Sequence, residues 1–160
     1  SVCHGCYALK GRYRFRNVQD ALERRYQAAM NNSQWVFGMV YLIQSSKKNV
    51  FRWHDSGDIQ SKEHLQRIFQ VCELTPEVKH WLPTREAGIL STIKPEEVPS
   101  NLIIRLSASK VDGPAPKSWA WTSTVVTSGA SCPAPQQGNE CKDCRQCWDK
   151  KVKNVSYGKH

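Results

Sequence analysis

No uninterrupted apolar run in the 160 residues approaches the roughly 18 needed for a membrane span, and no basic-then-apolar leader opens the chain. Membrane insertion and a secretory signal are therefore both set aside. Low-complexity tracts are missing too, no repeat goes beyond a loose strand-helix recurrence, and no Gly-rich segment reads as a nucleotide loop. Acidic residues are scarce: 14 Asp and Glu against 23 Lys and Arg give a formal net charge of +9 and a pI near 9.3. Such a chain attracts polyanions in a salt-dependent way, which makes nucleic acid a candidate partner. The bland alternative is that the basic stretches 10–25 and 142–159 are solvated surface. With 39% apolar residues and a mean hydropathy of -0.59, the composition is that of an ordinary soluble domain. A chain of this length buries about 68–70% of its unfolded surface without needing cross-links, so one domain over residues 1–160 is expected.

The seven cysteines need another reason. Cys3 and Cys6 open the chain, Cys72 stands alone, and Cys132, Cys141, Cys144 and Cys147 cluster near the end. Two-residue gaps and the lack of a secretion signal argue against a disulfide framework and for metal ligation. Cys141-x-x-Cys144-x-x-Cys147, preceded by Cys132-Pro133, has the spacing of thiolates that wrap a cubane iron-sulfur cluster, although ferredoxins place their Cys-Pro on the other side. Zinc is the alternative, with Cys3-x-x-Cys6 and Cys141-x-x-Cys144 as two chelating pairs. The first ligand set is Cys132, Cys141, Cys144 and Cys147, with Cys3 and Cys6 as second choice. The chain begins at Ser1 rather than Met, so a site opening at Cys3 can have partners upstream. His4 is a minor ligand option, and Trp148 would shield a cluster from water or simply pack. Cys72 reads as a small buried hydrophobe on a helix face.

Periodicity gives the scaffold. Apolar residues at helical spacing over 17–31 and 33–44 predict two amphipathic helices, and Ser61 caps a third whose face is Leu65, Ile68, Phe69 and Cys72. That helix ends near Thr75-Pro76, because proline disfavours helical geometry in the residue before it. Residues 50–53, 78–82, 102–106 and 122–126 read as strands, with a short helical stretch over 87–93 and a Pro-containing connection over 110–121 that can be a loop. Strands alternating with helices predict an α/β fold with a mostly parallel sheet of four or more strands, flanking helices and a Cys-rich C-terminal metal-binding segment.

In a parallel sheet the carboxyl ends of all strands share one edge, where ligands bind. Here those ends carry His54, Asp55, Asp58, Thr84, Arg85, Glu86, Ser107 and Ser109. His54, Asp55, Asp58, Arg85 and Glu86 are the candidate catalytic residues, able to bind a substrate or move protons. The alternative for Asp58 and Ser61 is turn-shaping and capping, and for Glu86 a local pairing with Arg85.

Four blocks carry a likeness: Cys3-His4-Gly5-Cys6-Tyr7-Ala8 with Lys10-Gly11-Arg12-Tyr13, then Arg52-Trp53-His54-Asp55-Ser56-Gly57-Asp58, then His80-Trp81-Leu82-Pro83-Thr84-Arg85-Glu86, and the Cys-rich end closing on Asn154-Val155-Ser156-Tyr157. The chain resembles the phage gene-product-88 family over nearly its whole length. The resemblance implies a phage-encoded protein of the host bacterial cytosol that holds an iron-sulfur cluster, [4Fe-4S] by the cysteine count, with a redox partner or a cluster-dependent role. Two alternatives stand beside it. One is a zinc-stabilised basic protein that binds nucleic acid. The other is an enzyme similar to the radical S-adenosylmethionine enzymes, on the faint likeness of Cys6-Tyr7-Ala8, with an open iron on a cluster at the edge of a partial barrel; their C-x-x-x-C-x-x-C triad is absent.

Overall fold

The computed structural model describes residues 7–159. Five strands, β1 Val50–Arg52, β2 Lys79–Thr84, β3 Leu102–Val111, β4 Thr122–Val126 and β5 Asn154–Gly158, form one sheet in sequence order. Every neighbouring pair is parallel. A parallel sheet wound in one direction without reversal is a half-barrel, with helices on its outer face and all carboxyl ends on one edge. The helices are α1 Arg16–Asn31, α2 Trp35–Ser45, α3 Lys62–Glu73 and the single turn α4 Ala87–Leu90. None of the described helices is long and apolar enough to cross a membrane.

The α/β class, the parallel sheet and the flanking helices follow the predicted alternation. Central strands β2 and β3 are buried on both faces, which is why they read as near-continuous apolar runs. Leu82, Leu102, Ile104 and Leu106 face outward onto Val36 and Ile43 of α2 and Leu65, Ile68, Phe69 and Cys72 of α3. Ser61 caps α3 as predicted, its Oγ accepting the His64 amide at 3.1 Å. At the amino edge, the Asn101 side-chain amide donates to the carbonyls of Cys72, Thr75 and Val78 at 2.9–3.0 Å, locking the end of α3 to the start of β2.

The inner face is covered differently. Trp81, Ile103 and Val155 pack there against Cys147, with Trp121, Trp148 and Tyr157 around them. Cys147 and Trp148 belong to the β4–β5 connection, which holds only 3-10 turns at Ala134–Gln137 and Gln146–Trp148. That connection lies across the sheet as far as β1, where Trp148 Nε1 donates to the Phe51 carbonyl at 2.9 Å. Its fastener is Arg105 on β3, which is wholly buried. The guanidinium donates to the carbonyls of Gln146 (2.8 Å), Cys147 (3.0 Å) and Asp149 (3.0 Å), and more weakly to Thr122 and Lys153 (both 3.4 Å).

One part of the expected fold is overturned. Among the described residues, no group of three or more His, Cys, Asp or Glu side chains is arranged to hold a metal ion. The Cys-rich segment is a cover for the inner face rather than a metal-binding segment. Its two-residue gaps serve tight turns instead: the Cys144 amide donates to the Cys141 carbonyl at 2.8 Å, and the Trp148 amide to Arg145 at 3.0 Å.

Candidate functional site

The carboxyl ends of β1 and β2 gather the predicted polar residues. Just beyond β1 the chain turns at His54, whose φ of +56° lies in the left-handed region that non-glycine residues rarely occupy. The turn brings Asp58 back onto the end of β2. Its carboxylate accepts the Thr84 hydroxyl at 2.5 Å and the Arg85 amide at 2.7 Å, and also the Ile59 amide at 2.8 Å. Asp58 therefore clamps two strand ends together. Thr84 Oγ1 in turn accepts the Glu86 amide at 3.1 Å, setting the exposed Glu86 at the start of α4. On the outer side Tyr13, in the turn before α1, donates its hydroxyl to Asp55 at 2.7 Å, so the N-terminal arm walls the site.

His54 sits against Trp53 and His64, with ring centroids 6.5 and 5.7 Å away. Its Nδ1 is buried and without a hydrogen-bond partner. Burial holds its pKa below the ordinary histidine value, opposed by the Asp58 carboxylate and reinforced by Arg52. His64 is pushed down further, to about 4, by burial and then by the neighbouring His54 and Arg67. Both rings are neutral at neutral pH, and a neutral imidazole accepts a proton.

His54, Asp55, Asp58, Arg85 and Glu86 are thus neighbours at one edge, and Thr84 joins them as predicted. Tyr13 and His64 belong to the same site, and no spacing in the sequence ties them to it, since one lies in an arm far from β1 and the other in the first turn of α3. Ser107 and Ser109 do not reach it. Strand β3 runs on to Val111, leaving Ser107 inside the sheet, where its hydroxyl pairs with that of Ser123 at 2.8 Å.

The cysteines fare otherwise. Cys3 and Cys6, with His4, lie outside the described residues. Cys141 is exposed, Cys132 and Cys144 are half-buried, and Cys147 is buried with its Sγ 3.1 Å from the Tyr157 hydroxyl. Burial raises the Cys147 thiol to about 11, against the pull of Tyr157 and Arg105, and Cys132 and Cys141 add to the rise. Such a thiol is protonated at neutral pH and packs against the inner face. Without a metal-holding group among the described residues, the [4Fe-4S] cluster is withdrawn. So are the structural zinc, the open-iron enzyme similar to the radical S-adenosylmethionine enzymes, and the redox role that depended on them. Cys72, wholly buried and raised to about 12 chiefly by burial, is the packing residue expected.

Comparison with known proteins places this geometry. No curated protein and no solved structure matches the chain. A family model described as Gene product 88 matches residues 1–121, which takes in β1, β2, β3 and the whole His54–Glu86 edge but stops before β4 and the C-terminal cysteines. The likeness read over nearly the whole length is therefore shown for that part, and the chain belongs to the Gene product 88 family.

Proposed function

We propose that the protein binds a small polar ligand at the carboxyl edge of β1 and β2, and that the neutral ring of His54 accepts a hydrogen bond from a hydroxyl or amine of that ligand. The observation that carries this reading is His54 itself: a non-glycine residue in left-handed backbone with a half-buried, neutral ring, at the edge where parallel sheets bind ligands. Asp58 holds the two strand ends in register and Asp55 ties in the arm, so both position the site, while Arg85 and Glu86 border it. The test follows the ring resonances of His54 and His64 by NMR as nucleosides, amino acids and sugars are added in turn. One class is expected to move His54 saturably, with the effect abolished in Asp58→Asn. If none of the three classes moves His54, the reading fails.

A second reading rests on α1. Only Ala29 of this helix is buried, and Arg16, Arg24 and Arg25 on it are exposed, as are Lys10, Arg12 and Arg14 in the arm before it, interleaved with exposed Phe15 and Tyr26. Basic side chains with aromatics between them suit a single-stranded nucleic acid, and no zinc is needed to present them. Anisotropy of a labelled oligonucleotide should show affinity that falls with salt and drops in the Arg24→Glu, Arg25→Glu double variant. Absence of binding at low salt removes the idea. The reducing cytosol remains the compartment of choice, supported by free thiols at Cys72, Cys132, Cys141, Cys144 and Cys147.

A further inference from the structure

A cavity opens at the same edge of the sheet as His54, three strands away from it. It has a volume of about 240 Å³ and lies between the loop that leaves β4 and the end of β5, lined among others by Thr127, Ser128, Gly129, Gln136 and Lys159. We propose that this cavity binds a phosphoryl group, either as free phosphate or as the phosphate end of a small ligand.

The argument starts from the loop backbone. Gly129 has φ +69°, and a Cβ placed there would meet nothing within 4 Å, so the glycine serves the turn rather than close packing. The turn divides the amides of the loop into two groups. Those of Thr127, Ser131 and Cys132 are bonded, to Asp112 Oδ1 (2.9 Å), Ser156 Oγ (2.7 Å) and the Ser156 carbonyl (3.0 Å). The amides of Ser128, Gly129 and Ala130 between them have no protein acceptor among the described residues. Successive amides freed by a left-handed residue can form an anion-binding concavity, and the residues that carry these three amides line the cavity.

The side chains agree with the backbone. Thr127, Ser128, Gln136 and Lys159 are among the lining residues, and no Asp or Glu among the described residues lines the space. Lys159 is fixed beside the loop because its own amide donates to the Val126 carbonyl at 2.9 Å, continuing the β4–β5 ladder. A carboxylate ligand would use one or two of these donors, whereas the three equivalent oxygens of a phosphoryl group match a set of amides, hydroxyls and one ammonium. The volume lies below the roughly 300 Å³ at which pockets for larger organic ligands begin, which suits the phosphate end of a ligand rather than its whole body. The site lies beyond residue 121, outside the part of the chain matched by the family model, and stands independently of the role given to His54.

Amide resonances read during titration with inorganic phosphate, and separately with adenosine 5′-monophosphate, test the assignment. Ser128, Gly129 and Ala130 are expected to shift saturably, and Lys159→Gln to weaken binding about tenfold, the loss of one charge-assisted hydrogen bond. Tighter binding of the nucleotide than of phosphate identifies a phosphorylated small molecule as the ligand; equal binding identifies free phosphate. Shifts confined to the basic residues of α1, no shift at millimolar phosphate, or undiminished binding in Lys159→Gln with its fold intact would each overturn the proposal.

Discussion

His80 shows how a single buried ring sets a property of the whole protein. It is wholly buried, stacked 5.9 Å from Trp53. The Thr75 hydroxyl donates to the Val71 carbonyl at 2.7 Å, so at 2.9 Å it accepts from His80 Nε2–H, which leaves Nδ1 unprotonated and without a partner. Protonation would put an uncompensated charge into the core, and burial accordingly lowers the pKa to about 4, with only Glu77 pulling the other way. His64 behaves alike. Since both fall below their unfolded value of 6.5, the unfolded chain binds more protons between pH 6.5 and about 4. The stability these rings contribute is full above pH 6.5 and is lost as the pH falls through about 4. Urea midpoints should be level above that window and fall within it, and the fall should be shallower in His80→Gln; an unchanged slope would show that other groups govern the acid limb.

Asp58 makes the corresponding case at the site. An Asn there keeps one acceptor oxygen where the carboxylate has two, so the Thr84 hydroxyl and the Arg85 amide can no longer both be satisfied. Asp58→Asn is expected to cost about 1–3 kcal/mol in urea unfolding and to loosen His54 from its turn. A neutral result would mean that water replaces the lost bonds. From sequence this residue has two readings, turn former or catalytic group, and its observed bonds join the chain after β1 to the end of β2.

Elements differ in how much the sequence says about them. Helix α3 and strands β2 and β3 are legible because each buries a continuous face, so period and burial coincide. Strand β5 is not, since Val155 and Tyr157 are the only apolar side chains between polar neighbours. The β4–β5 connection misleads outright: cysteine spacing suggests ligation, while the physical fastener is a lone arginine on β3, 42 residues before Cys147. Nothing local in residues 102–111 distinguishes Arg105 from a surface arginine. Its role is visible only when the carbonyls of Gln146, Cys147 and Asp149 converge on it. Arg105→Met should therefore destabilise by about 3–5 kcal/mol, because several buried carbonyls lose their donor together. Thiol-reactivity counts locate the effect: in the native protein Cys132, Cys141 and Cys144 should react with a thiol reagent and the buried Cys72 and Cys147 resist, whereas Arg105→Met should release Cys147 first. Simultaneous release of Cys72 would indicate global unfolding rather than a detached cover.

Across the whole molecule the two edges of the sheet divide the labour. At the amino edge Asn101 ties three carbonyls and touches no polar niche, so Asn101→Ala should lower stability by about 1–3 kcal/mol and leave the His54 resonance in place. The carboxyl edge carries the left-handed, half-buried His54 and the open amides of residues 128–130. That division is legible in the sequence for β1 and β2, whose polar tails His54–Asp58 and Thr84–Glu86 stand out after apolar runs. It is not legible for β3, which continues past its apolar stretch to Val111 and so carries Ser107 away from the edge.

His54 is the centre of the proposed site, as a neutral hydrogen-bond acceptor in a left-handed, half-buried position. A pH titration of its ring resonances by NMR tests this most directly. A midpoint below the ordinary value of 6.5, shifted upward when Trp53 is replaced by a smaller side chain that admits water, is the predicted result. A midpoint at or above 6.5 would describe an ordinary solvated histidine and contradict the assignment of the β1–β2 edge as the working site.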